Sequence, residues 1–457
     1  MKKIFVFAAF LTTIATGCRK IEVDGTDNPP PTTGNENTIL EGRIKENKTL
    51  KANYTYKLRG LVYVTDGAVL TIEPGTKIVG ETGHKGGLII TRNAKIIADG
   101  TADKQIVFTS EAATPARGDW AGIVILGNAP TNTSYNGTAG VGEIEGGINN
   151  SDGLGLYGGN NPADNSGILR YVRIEYAGYA FLPDKEINGL TFGGVGNQTV
   201  VDYVQVAYAN DDSFEWFGGT VNAKHLISFR ALDDDFDTDN GFSGKVQFGI
   251  AVRDSSVADI SKSEAFESDN DANGSTLTPQ TNAVFSNMTI IGPKATSANV
   301  GNSLFLAAAQ IRRNSAISIF NSIFMGWSQG LFIDASKGSP TDANIPNSLF
   351  VQGTIIAGCA ASVKYAPSPT TPTGATDASI LAWFNTAAYG NTILANNDDV
   401  KLGAAFNYAT PDLTPQAGSP ALTGAIFTNA RLSGLTPVDY RGAVGPNDSW
   451  YKGWTKF

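Results

Sequence analysis

Between about Leu61 and Asn396 the chain alternates short apolar runs with Gly, Asn and Asp, and sustained helical periodicity is almost absent. Val69-Leu70-Thr71-Ile72, Leu88-Ile89-Ile90-Thr91, Ile106-Val107-Phe108-Thr109 and Ile123-Val124-Ile125-Leu126 are rich in β-branched residues and bounded by turn formers, so each predicts a short strand. One segment breaks the pattern. Ser379 to Asn391 follows Asp377 as an N-cap and places Ile380, Trp383, Phe384 and Ala387 on one face, which predicts a short helix near the C-terminus.

The strand-like runs recur. Leu169 to Gly178 (LRYVRIEYAG) and Val201 to Asn210 (VDYVQVAYAN) share Tyr-Val and Tyr-Ala at matching places. The second continues into Asp211-Asp212-Ser213-Phe214-Glu215, and 22 residues after Asp211 the chain gives Asp233-Asp234-Asp235-Phe236-Asp237. A further series begins at Asn287, Asn321, Gly353 and Asn391, with spacings of 34, 32 and 38. A spacing of 22 suits three short strands at roughly 3.3 Å per residue plus their turns, which is one winding of a solenoid; longer spacings are the same winding with a loop inserted. Propeller blades need about 40 residues or more, and sandwiches show no such recurrence. The prediction is an all-β, right-handed parallel β-helix over 39–409, preceded by a tether over 18–38 and followed by a closing segment of the same domain over 410–457.

Composition narrows the chemistry. Of 457 residues 52 are Gly and 17% are charged, with a net charge of −9 and no basic run, so binding to nucleic acid through phosphate neutralisation is excluded. Two histidines, His84 and His225, and two cysteines, Cys18 and Cys359, exclude zinc clusters, haem attachment and a disulfide framework. Met1 to Gly17 reads as a secretory leader, with Lys2 and Lys3, an apolar run from Ile4 to Ile14, and small residues before Cys18. That ending resembles the lipobox of bacterial lipoproteins. The resemblance implies acylation of Cys18 and a membrane anchor through the attached lipid. Cys359, in an apolar run from Ile355 to Ala360, then has no partner within the chain and reads as a buried, inert thiol.

Three stretches carry a wider resemblance. Leu70 to Thr76 (LTIEPGT), Ala98 to Ser110 (ADGTADKQIVFTS) and Gly118 to Gly127 (GDWAGIVILG) resemble the opening coils of secreted pectate-lyase-like β-helix proteins common in Bacteroidetes. Ser419 to Leu422, Asp439 to Ala443 and Trp450 to Trp454 are similar to the closing segment of the same lipoprotein group. The resemblance implies a cell-envelope lipoprotein of the outer membrane. It does not choose among lyases, hydrolases, adhesins and passive scaffolds, all of which use this fold.

The strongest chemical pattern is acidic. Asp211, Asp212 and Glu215 are followed one coil later by Asp233, Asp234, Asp235, Asp237 and Asp239, and then by Asp269 and Asp271. Equivalent positions one coil apart lie about 4.8 Å from each other, so the first two groups are expected to stack and to require a cation, basic neighbours or raised pKa values. Asp269, Asp271 and Asn273, with Gly274, match the start of a calcium loop, although Gln280 stands where such loops have a bidentate carboxylate; Asp235, Asp237 and Asp239 form a similar run. Calcium is the one cofactor expected. For catalysis, a lyase reading takes its base from Lys224, Arg230 or Lys245, and a hydrolase reading takes two carboxylates from Asp211, Asp212, Asp233 and Asp234. Phe214, Trp216 and Phe217 are candidates for stacking on sugar rings or for the core. The leading expectation is a non-catalytic glycan-binding or surface-contact protein stabilised by calcium; the alternative is a calcium-dependent polysaccharide lyase or related carbohydrate enzyme.

Overall fold

The computed structural model describes residues 37–179, 186–296 and 301–457. The leader, Cys18 and the tether as far as Glu36 lie outside the described residues. The unit from Asn37 to Phe457 is a right-handed parallel β-helix whose main sheet has 26 strands, all paired in parallel. Three faces repeat along the axis. In the central coils one long strand serves two faces: Val200–Ala207, Asn222–Phe229 and Lys245–Val252 each run along the first face, turn a corner and continue along the second. The third face stacks Gly122–Leu126, Leu190–Gly193, Phe214–Phe217, Phe236–Asp239, Phe266–Ser268, Ala307–Arg312 and Gln329–Asp334. Phe214 pairs with Phe236, confirming the 22-residue coil, and Phe236 pairs with Phe266, where an inserted loop lengthens it.

The recurrence of Tyr-Val now has a cause. The corner between the first and second faces is a single residue in the left-handed region, inside a long strand at Tyr171 (φ 49°), Tyr203 (54°), His225 (52°), Phe248 (64°) and Asn287 (56°) and between two short strands at Asn321 (52°). A side chain there costs roughly 1–2 kcal/mol. Stacking offsets part of that cost, since Tyr171 lies 4.4 Å from Tyr203, Tyr203 4.2 Å from His225 and His225 5.3 Å from Phe248, centroid to centroid. The closing segment lies across this outer stack. Trp454 meets Tyr171 edge-on at 5.6 Å, and Trp450 meets His225 at 4.8 Å. The fourth member of the Asn series needs correction by one residue. Ile355 pairs with Thr392, which places Gly390 rather than Asn391 opposite Gly353, and Gly390 has the corner conformation (φ 61°).

Alternation fills the interior. Phe214, Phe236 and Phe266 point inward and stack at 5.7 and 5.4 Å, while Trp216 stacks between Phe192 and Phe242 at 5.7 and 5.2 Å. No single coil could bury these rings, so the stack is stable only as a whole.

The expected helix spans Asp377–Phe384, and its cap is Thr376, not Asp377. Thr376 accepts from the Ser379 amide and Ser379 answers through its hydroxyl, whereas Asp377 binds Lys364 Nζ (2.6 Å) and the Tyr365 amide (2.7 Å) on the strand Ala361–Ala366. Ile380 and Phe384 are buried in the main core as expected, Trp383 is half-buried, and Ala387 is exposed because the chain has left the helix. Thr376→Ala should lower stability by about 1 kcal/mol, read from the urea midpoint, with no change in the fold.

Candidate functional site

Long loops flank the third face on both sides. Among the described residues, 176–179, 186–189, 253–265, 292–296 and 301–306 lie on the side facing the second face, and 127–166, 269–283 and 335–350 lie on the other. Strand alternation that turns Phe214, Phe236 and Phe266 inward turns Glu215, Asp237 and Glu267 outward into this trough, in direct register, followed by Gln310 and Phe332.

A second ladder runs beside it at the turn entering the face. Asn188 Oδ1 accepts from the Asp212 amide (3.2 Å), Asp212 Oδ1 from the Asp234 amide (2.7 Å), and Asp234 Oδ1 from the Glu264 amide (2.5 Å). These side-chain oxygens, one amide and two carboxylates, hold one coil to the next. The two ladders, with Asp211 and Asp233 beside them, bring ligand oxygens within 4.8 Å of one another in three groups: Asp211, Asp212 and Asp233; Asp212, Glu215 and Asp237; Asp234, Glu264 and Glu267. Glu145, from the loop 127–166, joins them because Asn188 Nδ2 donates to both Glu145 (3.2 Å) and Glu215.

Crowding and burial set the electrostatics. Burial first, then Asp259 and Glu267, pushes the Asp233 carboxyl up to about 7; burial and Glu267 push Glu264 up to about 8. Glu267 rises to about 7 by burial despite the attraction of Arg312, and Asp239 to about 8 by burial and Asp269. Asp211, Asp212, Glu215, Asp234 and Asp237 are all shifted well upward, each by burial before any neighbouring charge. Near neutral pH these groups must share protons or accept a cation.

The loop 127–166 covers the start of the ladder. Its Ile144, Ile148 and Tyr157 form an apolar cluster with Phe217, which faces outward beneath them, while Phe214 and Trp216 belong to the interior. Farther along the axis the cover ends. There an open groove of about 380 Å³ is lined by Glu264, Glu267, Gln310, Arg312, Gln329 and Phe332, among others.

Stacking of Asp211 and Asp212 with Asp233 and Asp234 is as the sequence predicts. The calcium runs are not assembled as single loops. Asp235 turns inward to Arg253 (3.2 Å), away from Asp237 and Asp239. Asp269 is held by Arg312 (2.8 Å) and Arg313, and Asp271 caps its own turn, accepting from the amides of Asn273 (2.9 Å) and Ser275 (3.0 Å), while Asn273 is exposed. The expected lyase bases also lie elsewhere. Lys224 and Lys245 are on the first face, where they donate to Thr436 Oγ1 (2.9 Å) and the Ser433 carbonyl (2.5 Å); Arg230 stacks on Phe229 at 4.9 Å and pairs with Asp254 (3.7 Å). His225 is a corner residue bound to Asp202 (2.7 Å). Cys359 is half-buried, with its thiol pushed up to about 11 by burial.

Glu145, Glu264, Glu267, Gln310, Arg312 and Phe332 were not singled out by the sequence. Glu267 had a signal: Phe214-Glu215, Phe236-Asp237 and Phe266-Glu267 repeat an aromatic followed by an acid. Glu145 had none, because its place depends on how a long loop folds back.

None of the curated proteins or solved structures compared with the chain matched it. A family model described as a pectate-lyase like beta helix domain matches residues 42–398. That span coincides with the stacked windings and carries both carboxylate ladders. The chain therefore belongs to the pectate-lyase-like β-helix family.

Proposed function

We propose that this is a non-catalytic, glycan-binding protein of the cell envelope, lipid-anchored through Cys18 and stabilised by calcium or a similar divalent cation in the carboxylate ladders. Membership of the family supports a carbohydrate-related role in general. The observation that carries the finer reading is the open end of the third face. There Phe332 stands outward in register with Gln310 and Glu267, which supplies a ring to stack on a sugar face beside planar hydrogen-bonding groups. Two features favour binding over turnover. Asp212 and Asp234 are occupied as amide acceptors between coils, and Lys224, Lys245 and Arg230 are engaged away from the ladders.

Titration of neutral and acidic polysaccharides by calorimetry, with chain-end analysis of the same samples, tests this. Phe332→Ala should weaken binding of the best glycan at least about tenfold with an unchanged melting temperature. New unsaturated or reducing ends, lost in Asp233→Asn, would establish the enzymatic alternative instead; carboxyls near neutrality suit a general acid.

A further inference from the structure

A second groove, of about 350 Å³, lies between the first face and residues 433–435 of the closing segment, far in chemistry from the acidic trough. Val200 and Leu435 give it aliphatic walls, Val200 being an unusually exposed apolar side chain at 37%, while Val201 and Ala223 contribute main chain to its floor and turn their side chains into the core. Lys224 and Lys245 stand on the first face in successive coils and line the same groove. Their nearest hydrogen-bond acceptors are neutral, a threonine hydroxyl and a main-chain carbonyl. The carboxylate in the lining, Asp202, is bound to His225 Nδ1 at 2.7 Å.

In a chain of net charge −9, two ammonium groups against the single carboxylate of Asp202, which lies in register with Lys224, leave this lining with an excess of positive charge. Burial and the nearby Arg431 both lower the Lys245 pKa, so an anion arriving there would relieve the repulsion between Lys245 and Arg431. The aliphatic walls select further. A sugar ring is bound on aromatic platforms, and this lining holds none, whereas an alkyl chain loses water-exposed area against Val200, Leu435 and the methylene stems of the two lysines.

We propose that the juxtaposition of Lys224 and Lys245 with the Val200 and Leu435 walls is a binding site for a small amphipathic carboxylate, its head between the two ammonium groups and its hydrocarbon body along the groove. This site is independent of the glycan reading and concerns a different face.

Octanoate is a suitable probe, titrated by calorimetry and by methyl NMR against the folded mature chain at low ionic strength, with octanol and inorganic sulfate as comparisons. Octanoate should saturate below about 1 mM, with octanol and sulfate each at least about tenfold weaker. Lys224→Gln with Lys245→Gln should weaken octanoate at least about tenfold while melting is unchanged, and Val200→Ser should weaken octanoate without affecting sulfate. Sulfate binding as tightly as octanoate overturns the proposal in favour of a plain anion site. No saturation by octanoate up to about 10 mM overturns it outright. Both of those results come from the unaltered protein and do not depend on whether the variants fold.

Discussion

Replacing Arg253 by Ala should cost about 3–5 kcal/mol of folding free energy, more than any surface change in this protein. The Arg253 and Asp235 side chains are fully buried and meet at 3.2 Å. The guanidinium also donates to the Leu232 carbonyl (3.2 Å) and lies 5.1 Å from the Phe305 ring centroid, and the Ser228 hydroxyl donates to Asp235. Burial already pushes the Asp235 carboxyl above its ordinary range against the pull of Arg253. Removing the cation leaves that carboxyl stranded, and the cost is chiefly the penalty of the unpaired partner rather than the worth of the pair. Arg253→Met combined with Asp235→Leu should therefore recover much of the loss. Denaturant midpoints of the two variants check this; a loss below about 1 kcal/mol for Arg253→Ala would show that the pair is relieved by water or by movement of the coil.

The second large effect is a pH dependence of unusual sign. In the unfolded chain the ladder acids titrate near 4, whereas in the folded chain Asp233 and Glu267 titrate at about 7 and Glu264 and Asp239 at about 8. Between those limits the native state holds protons that the unfolded state has released, so stability is greatest at the acidic end and declines as pH rises through 7 and 8. Salt-bridged carboxylates elsewhere, such as Glu111 with Lys57, act in the opposite direction but are solvated and contribute little. In a chelator the melting temperature should be at least about 5 °C lower at pH 8.5 than at pH 5.5. Millimolar calcium should remove most of that difference by occupying the positions the protons leave, with a saturable dependence on concentration. A melting temperature that is flat or rising with pH in chelator would mean that the ladders are solvated and ionised throughout.

Architecture was legible in the sequence because a solenoid writes its register into spacing: Asp211 to Asp233 is one coil, and the paired tyrosines mark one corner. Stacking of the first acids followed from that register alone. Direction was harder. Asp235 and Asp237 differ by two positions in sequence, which suggested a common face, yet a turn precedes the strand Phe236–Asp239 and sends Asp235 inward. Asp271 and its neighbours matched a calcium pattern, but the short polar side chains close their own turn as readily as they hold an ion. Lys224 and Lys245 lie near the acids in sequence and on another face in space, because each coil visits all three faces within a few residues. Contributions from the long insertions, Glu145 above all, were not legible, since no repeat constrains a loop that has no counterpart in the next coil.

The insertion over 127–166 has a broader consequence. Leu126 and Gly193 are paired in perfect step although the chain wanders through dozens of residues between them, and Ile96 likewise meets Gly167. What keeps the molecule upright and what it shows to its surroundings are thus encoded in separate stretches of text. Such a scaffold can exchange one excursion for another, and with it whatever it touches, while every rung beneath remains where it was.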